Sequence, residues 1–135
     1  MKLEFVKNEE KYYEFIRLLR TDYRVLYGFV QQVNITSEQQ KKYMAKYGKS
    51  YYICLVDDVP AGFIGEVNGD IRVATLPEYQ RKGVGSFMVK ELIKRRPDAY
   101  ARIKVDNEIS HNFFKKLDFK LSFHIMTPPE QGIGL

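Results

Sequence analysis

Gln80-Arg81-Lys82-Gly83-Val84-Gly85 combines the residue types a phosphate site needs at the spacing it needs them. Glycines remove side chains where backbone N–H groups must come within hydrogen-bond distance of an anion. Residues 86–94, which follow, are amphipathic, so the loop opens a helix. The free N–H groups and positive dipole end of a helix start favour a pyrophosphate there. Arg81 and Lys82 add mobile positive charge beside it. Two carboxylates, Glu66 and Asp70, flank Asn68-Gly69 just ahead of the apolar run at residues 71–76. They are the nearest candidate proton acceptors to that run, and their plain alternative is a pair of solvated turn residues.

Two other phosphate motifs fail. A Walker loop requires Gly-Lys-Ser/Thr after four variable residues, and the chain has none. A dinucleotide fingerprint requires a third glycine where Met88 stands. The run from Gln80 to Gly85 instead closely resembles the Q/R-x-x-G-x-G/A motif of the GNAT superfamily, the acyl-CoA-dependent N-acyltransferases, where it holds the coenzyme A pyrophosphate. A second stretch, Asp106-Asn107-Glu108-Ile109-Ser110-His111-Asn112-Phe113-Phe114-Lys115-Lys116-Leu117-Asp118-Phe119, resembles the GNAT pattern N-x-x-A/S-x-x-F-Y-x-K-x-G-F. The resemblance covers residues 61–119, and the N-terminal third matches only in element order.

The resemblance implies acetyl-CoA as co-substrate, with Gln80, Arg81, Lys82, Gly83, Val84, Gly85 and Ser86 around its pyrophosphate. In the family two parallel neighbouring strands splay apart, so that the pantetheine arm pairs with exposed backbone. Here those strands are residues 71–76 and 100–104, which places Val73, Ala74 and Thr75 along the arm. A backbone N–H near Ala74 or Thr75 then stabilises the oxyanion. Asn107 is a helix cap, a polar contact to the cofactor, or both. Phe114 stands where family members commonly place a tyrosine whose hydroxyl protonates the leaving thiolate, and phenylalanine has no proton to give. Tyr100, Ser110 and His124 are candidate replacements, and a thiolate whose conjugate acid has a pKa of about 8.5 can also leave unprotonated. Glu66 or Asp70 is the candidate base for the acceptor ammonium, with Glu4, Asp106 or water as alternatives. Asp118 replaces a family glycine and tolerates the left-handed conformation better than most residues.

The expected reaction is transfer of an acetyl group from acetyl-CoA to a primary amine of a small molecule: an amino-sugar, a nucleotide-sugar or a polyamine. Acetylation of a protein N-terminus or lysine is an alternative. So is a non-catalytic module that binds coenzyme A, which Phe114 favours. By analogy residues 20–42 line the acceptor pocket. Tyr23, Tyr27, Phe29 and Gln31 suit either a polar acceptor or a helix packing face, and Arg20 with Arg24 suits an anionic acceptor.

Bulk properties narrow the class. At 135 residues the chain suits one domain, with an acceptor side over residues 1–60 and a cofactor-binding core over residues 61–126. Its 44% hydrophobic and 29% charged residues describe a globular protein. The start carries no signal-peptide pattern, and no run reaches the roughly 18 apolar residues of a membrane span. A single cysteine, Cys54, in an apolar run reads as a core residue of a cytoplasmic protein. The +5 net charge raises nucleic acid as a partner, but the basic residues are scattered and no nucleic-acid motif accompanies them. No metal site is expected.

The elements that must position these groups follow from pattern. Residues 3–6 read as a strand, Asn8 as a helix cap, and Tyr12, Phe15, Ile16 and Leu19 recur at helical spacing. Helices follow over residues 23–32 and from Thr36 or Ser37 to Gly48. Residues 50–56 and 61–65 form a hairpin about Asp57-Asp58, and Asn68-Gly69 turns into the strand at residues 71–76. Beyond the phosphate helix come a strand at 100–105, a helix at 108–117 with Ile109, Phe113 and Leu117 facing the sheet, and a strand at 119–126. The fold class is α/β, a central mixed sheet with helices on both faces. The proline-broken tail at residues 127–134 leaves two expectations: a homodimer in which a second copy completes the sheet, or a trimmed member.

Overall fold

The computed structural model of the chain describes residues 1–22 and 34–129. Four strands form one antiparallel sheet in the order β1 (Leu3–Lys7), β2 (Tyr51–Val56), β3 (Val59–Val67) and β4 (Asp70–Thr75). β-Branched and aromatic residues dominate β2, so both its faces bury side chains. Asp57 and Asp58 turn β2 into β3 at positive φ, and Asn68-Gly69 turns β3 into β4 with φ of 53° and 89°. Two consecutive left-handed residues match the twist of a two-residue hairpin, which is why Asn-Gly stands there.

Helices cover both faces. Helix α1 (Tyr13–Thr21) and helix α2 (Ser37–Tyr47) lie on one side, where Ile16, Leu19 and Met44 pack with Tyr51, Ile53, Phe63 and Ala74. Helix α3 (Val84–Arg95) covers the other, burying Val84, Met88, Val89 and Leu92 against Tyr52, Cys54, Ile64 and Ile71. Helix α4 (Glu108–Lys116) adds Phe114 to this second cluster. Alternate residues of β2 and β4 thus feed opposite layers, the period-2 pattern of a two-faced sheet. Burial pushes the Cys54 thiol up to about 11, which keeps it an inert core group. Among the described residues no helix is long and apolar enough to cross a membrane.

Helix α2 starts as its sequence dictates. Thr36 Oγ1 accepts from Gln39 N at 3.1 Å, and Gln39 Oε1 accepts from Thr36 N at 2.9 Å, a reciprocal capping box. Asn8 does not cap α1. Its Nδ2 donates to the Gly48 carbonyl at 3.2 Å and contacts Met44 Sδ at 3.4 Å, so it ties β1 to the end of α2. A carboxamide carries donors as well as an acceptor, and here the donors found the orphan C-terminal carbonyl first.

Three expectations need correction. The strand expected over residues 100–105 makes only one parallel bridge, Asp70↔Tyr100, and Val105 is 96% exposed. The strand expected over residues 119–126 does not form: Leu121, Phe123 and Ile125 alternate as a strand would but stay exposed, with no strand among the described residues beside them to pair. All pairing between the named strands is therefore antiparallel, and the bridge is the sheet's parallel component. On α4, Ile109 is 78% exposed, and the buried side belongs to Phe114 with Phe113 and Leu117 partly covered. The helix expected over residues 23–32, with Tyr23, Arg24, Tyr27, Phe29 and Gln31, lies outside the described residues.

Candidate active site

The single parallel bridge defines an opening at the edge of β4. Ile71 N donates to Tyr100 O at 2.9 Å, and Tyr100 N donates to Gly69 O at 2.8 Å. Leu76 N, five residues on, donates back to Ala61 O at 2.8 Å. Strand alternation then fixes every amide between them: Ile71, Val73 and Thr75 turn N–H and C=O away from β3, and Arg72 and Ala74 turn theirs toward it. Past the bridge no strand among the described residues pairs with this edge, so the outward Val73 N–H and C=O and the Thr75 N–H have no ladder partner there, an arrangement an extended ligand could pair with. The sequence expectation of an N–H near Ala74 or Thr75 narrows accordingly. The Ala74 amide serves the β3 ladder, and its methyl group is buried with the α1–α2 layer.

The phosphate loop continues directly from this edge. A 3-10 turn at Pro77–Tyr79 leads to Gln80, whose Nε2 donates to the outward Thr75 carbonyl at 3.3 Å. Arg81 and Gly83 both take positive φ, 62° and 83°. Gly83 is the N-cap of α3 and offers no side-chain bond, so the first-turn N–H groups of Val84, Gly85 and Ser86 have no capping side chain. That contrasts with α2, closed by Thr36, and with α4, where Asn107 Oδ1 accepts from Ser110 N at 3.1 Å. Uncapped first-turn amides, two exposed cations and a left-handed bend together make an arrangement that could hold a phosphate group. Lys82 Nζ rests 5.8 Å over the Tyr79 ring and keeps its charge beside the loop.

The two glycines have different work. A Cβ on Gly83 would meet nothing within 4 Å, so Gly83 is required by its φ alone. A Cβ on Gly85 would lie 3.2 Å from the Phe113 ring and 3.7 Å from Thr75 Oγ1. Gly85 therefore lets α4 and the end of β4 close in on the start of α3.

The sequence-predicted acid–base groups are dispersed. Glu66 Oε2 accepts from Gly69 N at 2.7 Å, and its other oxygen lies 3.6 Å from Arg96 Nε, so this carboxylate braces the β3–β4 turn. Asp70 is buried, with Oδ2 3.3 Å from Arg72 Nη2 and 3.6 Å from Arg102 Nη2. Glu4 sits on β1, at the far edge of the sheet, paired with Lys2. Asp106 is exposed just before α4, and His124 is exposed beyond it. Tyr100 stands at the closed end of the opening, its ring 3.1 Å from where a Gly69 Cβ would be. Asn107 is buried as the α4 cap, and Phe114, 7% exposed, packs between Phe113 and Phe119 at centroid distances of 5.0 Å.

Sequence reading missed a cluster on the opposite face of β4. The buried Tyr51 hydroxyl lies 2.7 Å from that of Tyr43. Arg20 sits 4.9 Å over the Tyr43 ring, and both Arg20 and Arg72 act electrostatically on Tyr51. Burial pushes the Tyr51 phenol far up, Tyr43 adds to this, and the hydroxyl keeps its proton. The spacing of Asp70 and Arg72 on one strand face was the available signal. Nothing in sequence joins them to Tyr43 or Arg102.

The pattern of the Acetyltransferase (GNAT) family matches residues 12–119. No curated protein sequence matches the chain. Among solved structures, AAC(6')-Iy in complex with a bisubstrate analogue is similar at a TM-score of 0.72 and 14% identity, over 97% of this chain and 99% of that one. Arabidopsis thaliana Naa50 with a bisubstrate analogue has a TM-score of 0.63 at 17% identity, covering 91% and 86%. The ribosomal-protein-S18-alanine N-acetyltransferase of Escherichia coli has 0.62 at 14% identity, covering 90% and 80%.

Proposed function

This chain belongs to the GNAT acetyltransferase family, and from that premise we propose that it transfers the acetyl group of acetyl-CoA to a primary amine of a small molecule. The observation that carries the reading is the unpaired outer edge of β4 running straight into the uncapped start of α3. One surface thereby offers backbone groups for a pantetheine arm and N–H groups for a pyrophosphate.

The roles follow from where each group points. Gly83, Val84, Gly85 and Ser86 hold the pyrophosphate through backbone N–H groups, with Arg81 and Lys82 adding charge and Gln80 fixing the loop to Thr75. Val73 and Thr75 pair with the arm, and the Thr75 N–H polarises the thioester carbonyl. The acceptor ammonium releases its proton, and the free amine attacks the carbonyl carbon. The C–N bond forms, the attacking nitrogen gives its second proton to water, the C–S bond breaks, and coenzyme A leaves as a thiolate that takes a proton from solvent. Glu66 and Asp70 are both engaged by arginine and, for Glu66, by a backbone amide. In this reading Asp70 positions Arg72 and Arg102, and water carries the acceptor proton away. Phe114 closes the thiol end as an apolar wall.

The test is a screen of amines for acetyl-CoA-dependent release of free thiol, alongside calorimetry of acetyl-CoA. Binding with turnover on a small amine supports the reading. Turnover only on peptide N-termini or lysines moves it to protein acetylation, and binding without any turnover moves it to a coenzyme A-binding module.

A further inference from the structure

Among the described residues, the cluster between α1, α2 and β4 is rich in donors and poor in acceptors. Arg20 Nη1 is buried without a hydrogen-bond partner. A guanidinium has five N–H donors and no acceptor, and leaving one buried and unpaired is unfavourable. Tyr43 and Tyr51 bond to each other at 2.7 Å, which uses one of two hydroxyl protons and leaves the other to be donated outward. Arg72, a third exposed, stands on the same face of β4 with Nη2 3.3 Å from Asp70 Oδ2. Asp70 is shared between Arg72 and Arg102. The unpaired acceptor nearest along α2 is Gln40 Oε1, one turn before Tyr43, and Gln40 Nε2 is fixed on the Tyr13 carbonyl at 3.0 Å.

Two guanidinium groups beside the tyrosine pair, a buried orphan donor and a spare hydroxyl proton call for the same complement: an oxyanion. Arg72 follows Ile71 and precedes Val73 on the strand whose edge is proposed to hold the thioester, so the cluster faces the transfer site across β4. We propose that Arg20 and Arg72, with the Tyr43–Tyr51 hydroxyl pair, form a subsite for an anionic group, carboxylate or phosphate, carried by the acceptor amine. This deepens the acetyltransferase reading and rests on it. It selects aminated acids or phosphorylated amines and disfavours polyamines, whose second ammonium would face Arg20 and Arg72. Fork-shaped guanidinium groups bind such oxyanions through paired hydrogen bonds.

The experiment compares kcat/KM for matched probes: glucosamine 6-phosphate against glucosamine, β-alanine against ethylamine, and spermidine. The expected result is at least a tenfold preference for the anionic member of one pair, with spermidine lowest. The phosphate and carboxylate pairs report separately which oxyanion is taken. Arg20→Gln and Arg72→Gln should each shrink the preference at least fivefold with acetyl-CoA affinity unchanged, and Arg20→Lys, which keeps the charge, should retain part of it. Equal or better turnover of neutral amines and spermidine, unaltered in these variants, overturns the subsite while leaving the acetyltransferase reading intact. If no amine turns over, that reading fails, and the subsite is judged by calorimetry of inorganic phosphate and glutarate on the acetyl-CoA-saturated protein. Binding lost in Arg20→Gln upholds the subsite, and no binding overturns it.

Discussion

At the level of single residues, Gly83 and Gly85 look interchangeable in the motif but differ in physics. Gly83 holds φ at 83° over open space, so Gly83→Ala meets only backbone strain, on the order of 1–2 kcal/mol. We expect the strain to relax by turning the α3 amides, lowering acetyl-CoA affinity about tenfold in calorimetry. Gly83→Asn, better suited to the left-handed region, should stay within about threefold of the parent. A full affinity in Gly83→Ala would separate the left-handed bend from binding. Gly85→Val instead drives a side chain into Phe113, so it should lower thermal stability as well as affinity and is the poorer probe of phosphate contact. Phe114→Tyr places a hydroxyl in a packed aromatic cluster, and an unpartnered buried hydroxyl costs about 1–3 kcal/mol. The melting temperature should fall, while turnover per folded molecule stays level or rises. A large loss of turnover per folded molecule would show that the ring does not face the thiol. Sequence carried the identity of these residues well. It could not show that Gly85 serves packing, because its partner Phe113 lies 28 positions away on another helix.

At the level of elements, β4 carries the argument because its two edges are chemically different. Thr75 turns its N–H outward and Ala74 turns its N–H into the β3 ladder. Proline removes an N–H, and in strands it is tolerated where that N–H faces away from a partner. Thr75→Pro should therefore fold, by circular dichroism, yet lose about 10²–10³ in kcat if its N–H polarises the thioester. Ala74→Pro should fail to fold or melt far lower. Comparable activity in folded Thr75→Pro would reassign the carbonyl donor. Element positions along β1 to β4 and α1 to α4 were legible because alternation, Asn68-Gly69 and the Thr36 capping box are local signals. The segments at residues 100–105 and 119–126 also alternate, and local pattern alone read them as strands. Whether an alternating segment becomes a strand depends on a neighbour to pair with. Beyond the Asp70↔Tyr100 bridge that neighbour is missing among the described residues.

For the whole molecule, the +5 charge admits a polyanionic cofactor or a nucleic acid, and salt separates them. Counterion release lowers DNA affinity about 10³–10⁵-fold between roughly 50 and 200 mM salt for 6–10 phosphate contacts. A ligand held by backbone amides along β4 and α3 loses far less. Acetyl-CoA binding should survive 200 mM salt, weakened but not abolished in the Arg81→Ala/Lys82→Ala pair, whose side chains are exposed. Any DNA association should vanish there. Binding should also raise the melting temperature, since a ligand at about 100 times its Kd adds about 2.7 kcal/mol. The proposed cofactor site is one continuous surface, the outer edge of β4 and the start of α3, and amide chemical shifts read that surface residue by residue. On titrating ¹⁵N-labelled protein with acetyl-CoA, the largest changes should fall at Val73, Thr75 and Gly83 to Ser86, with β1 unaffected. Saturable binding that leaves those amides unmoved, with changes gathered instead around Arg96 and Asp98 or scattered over the basic surface, would contradict it.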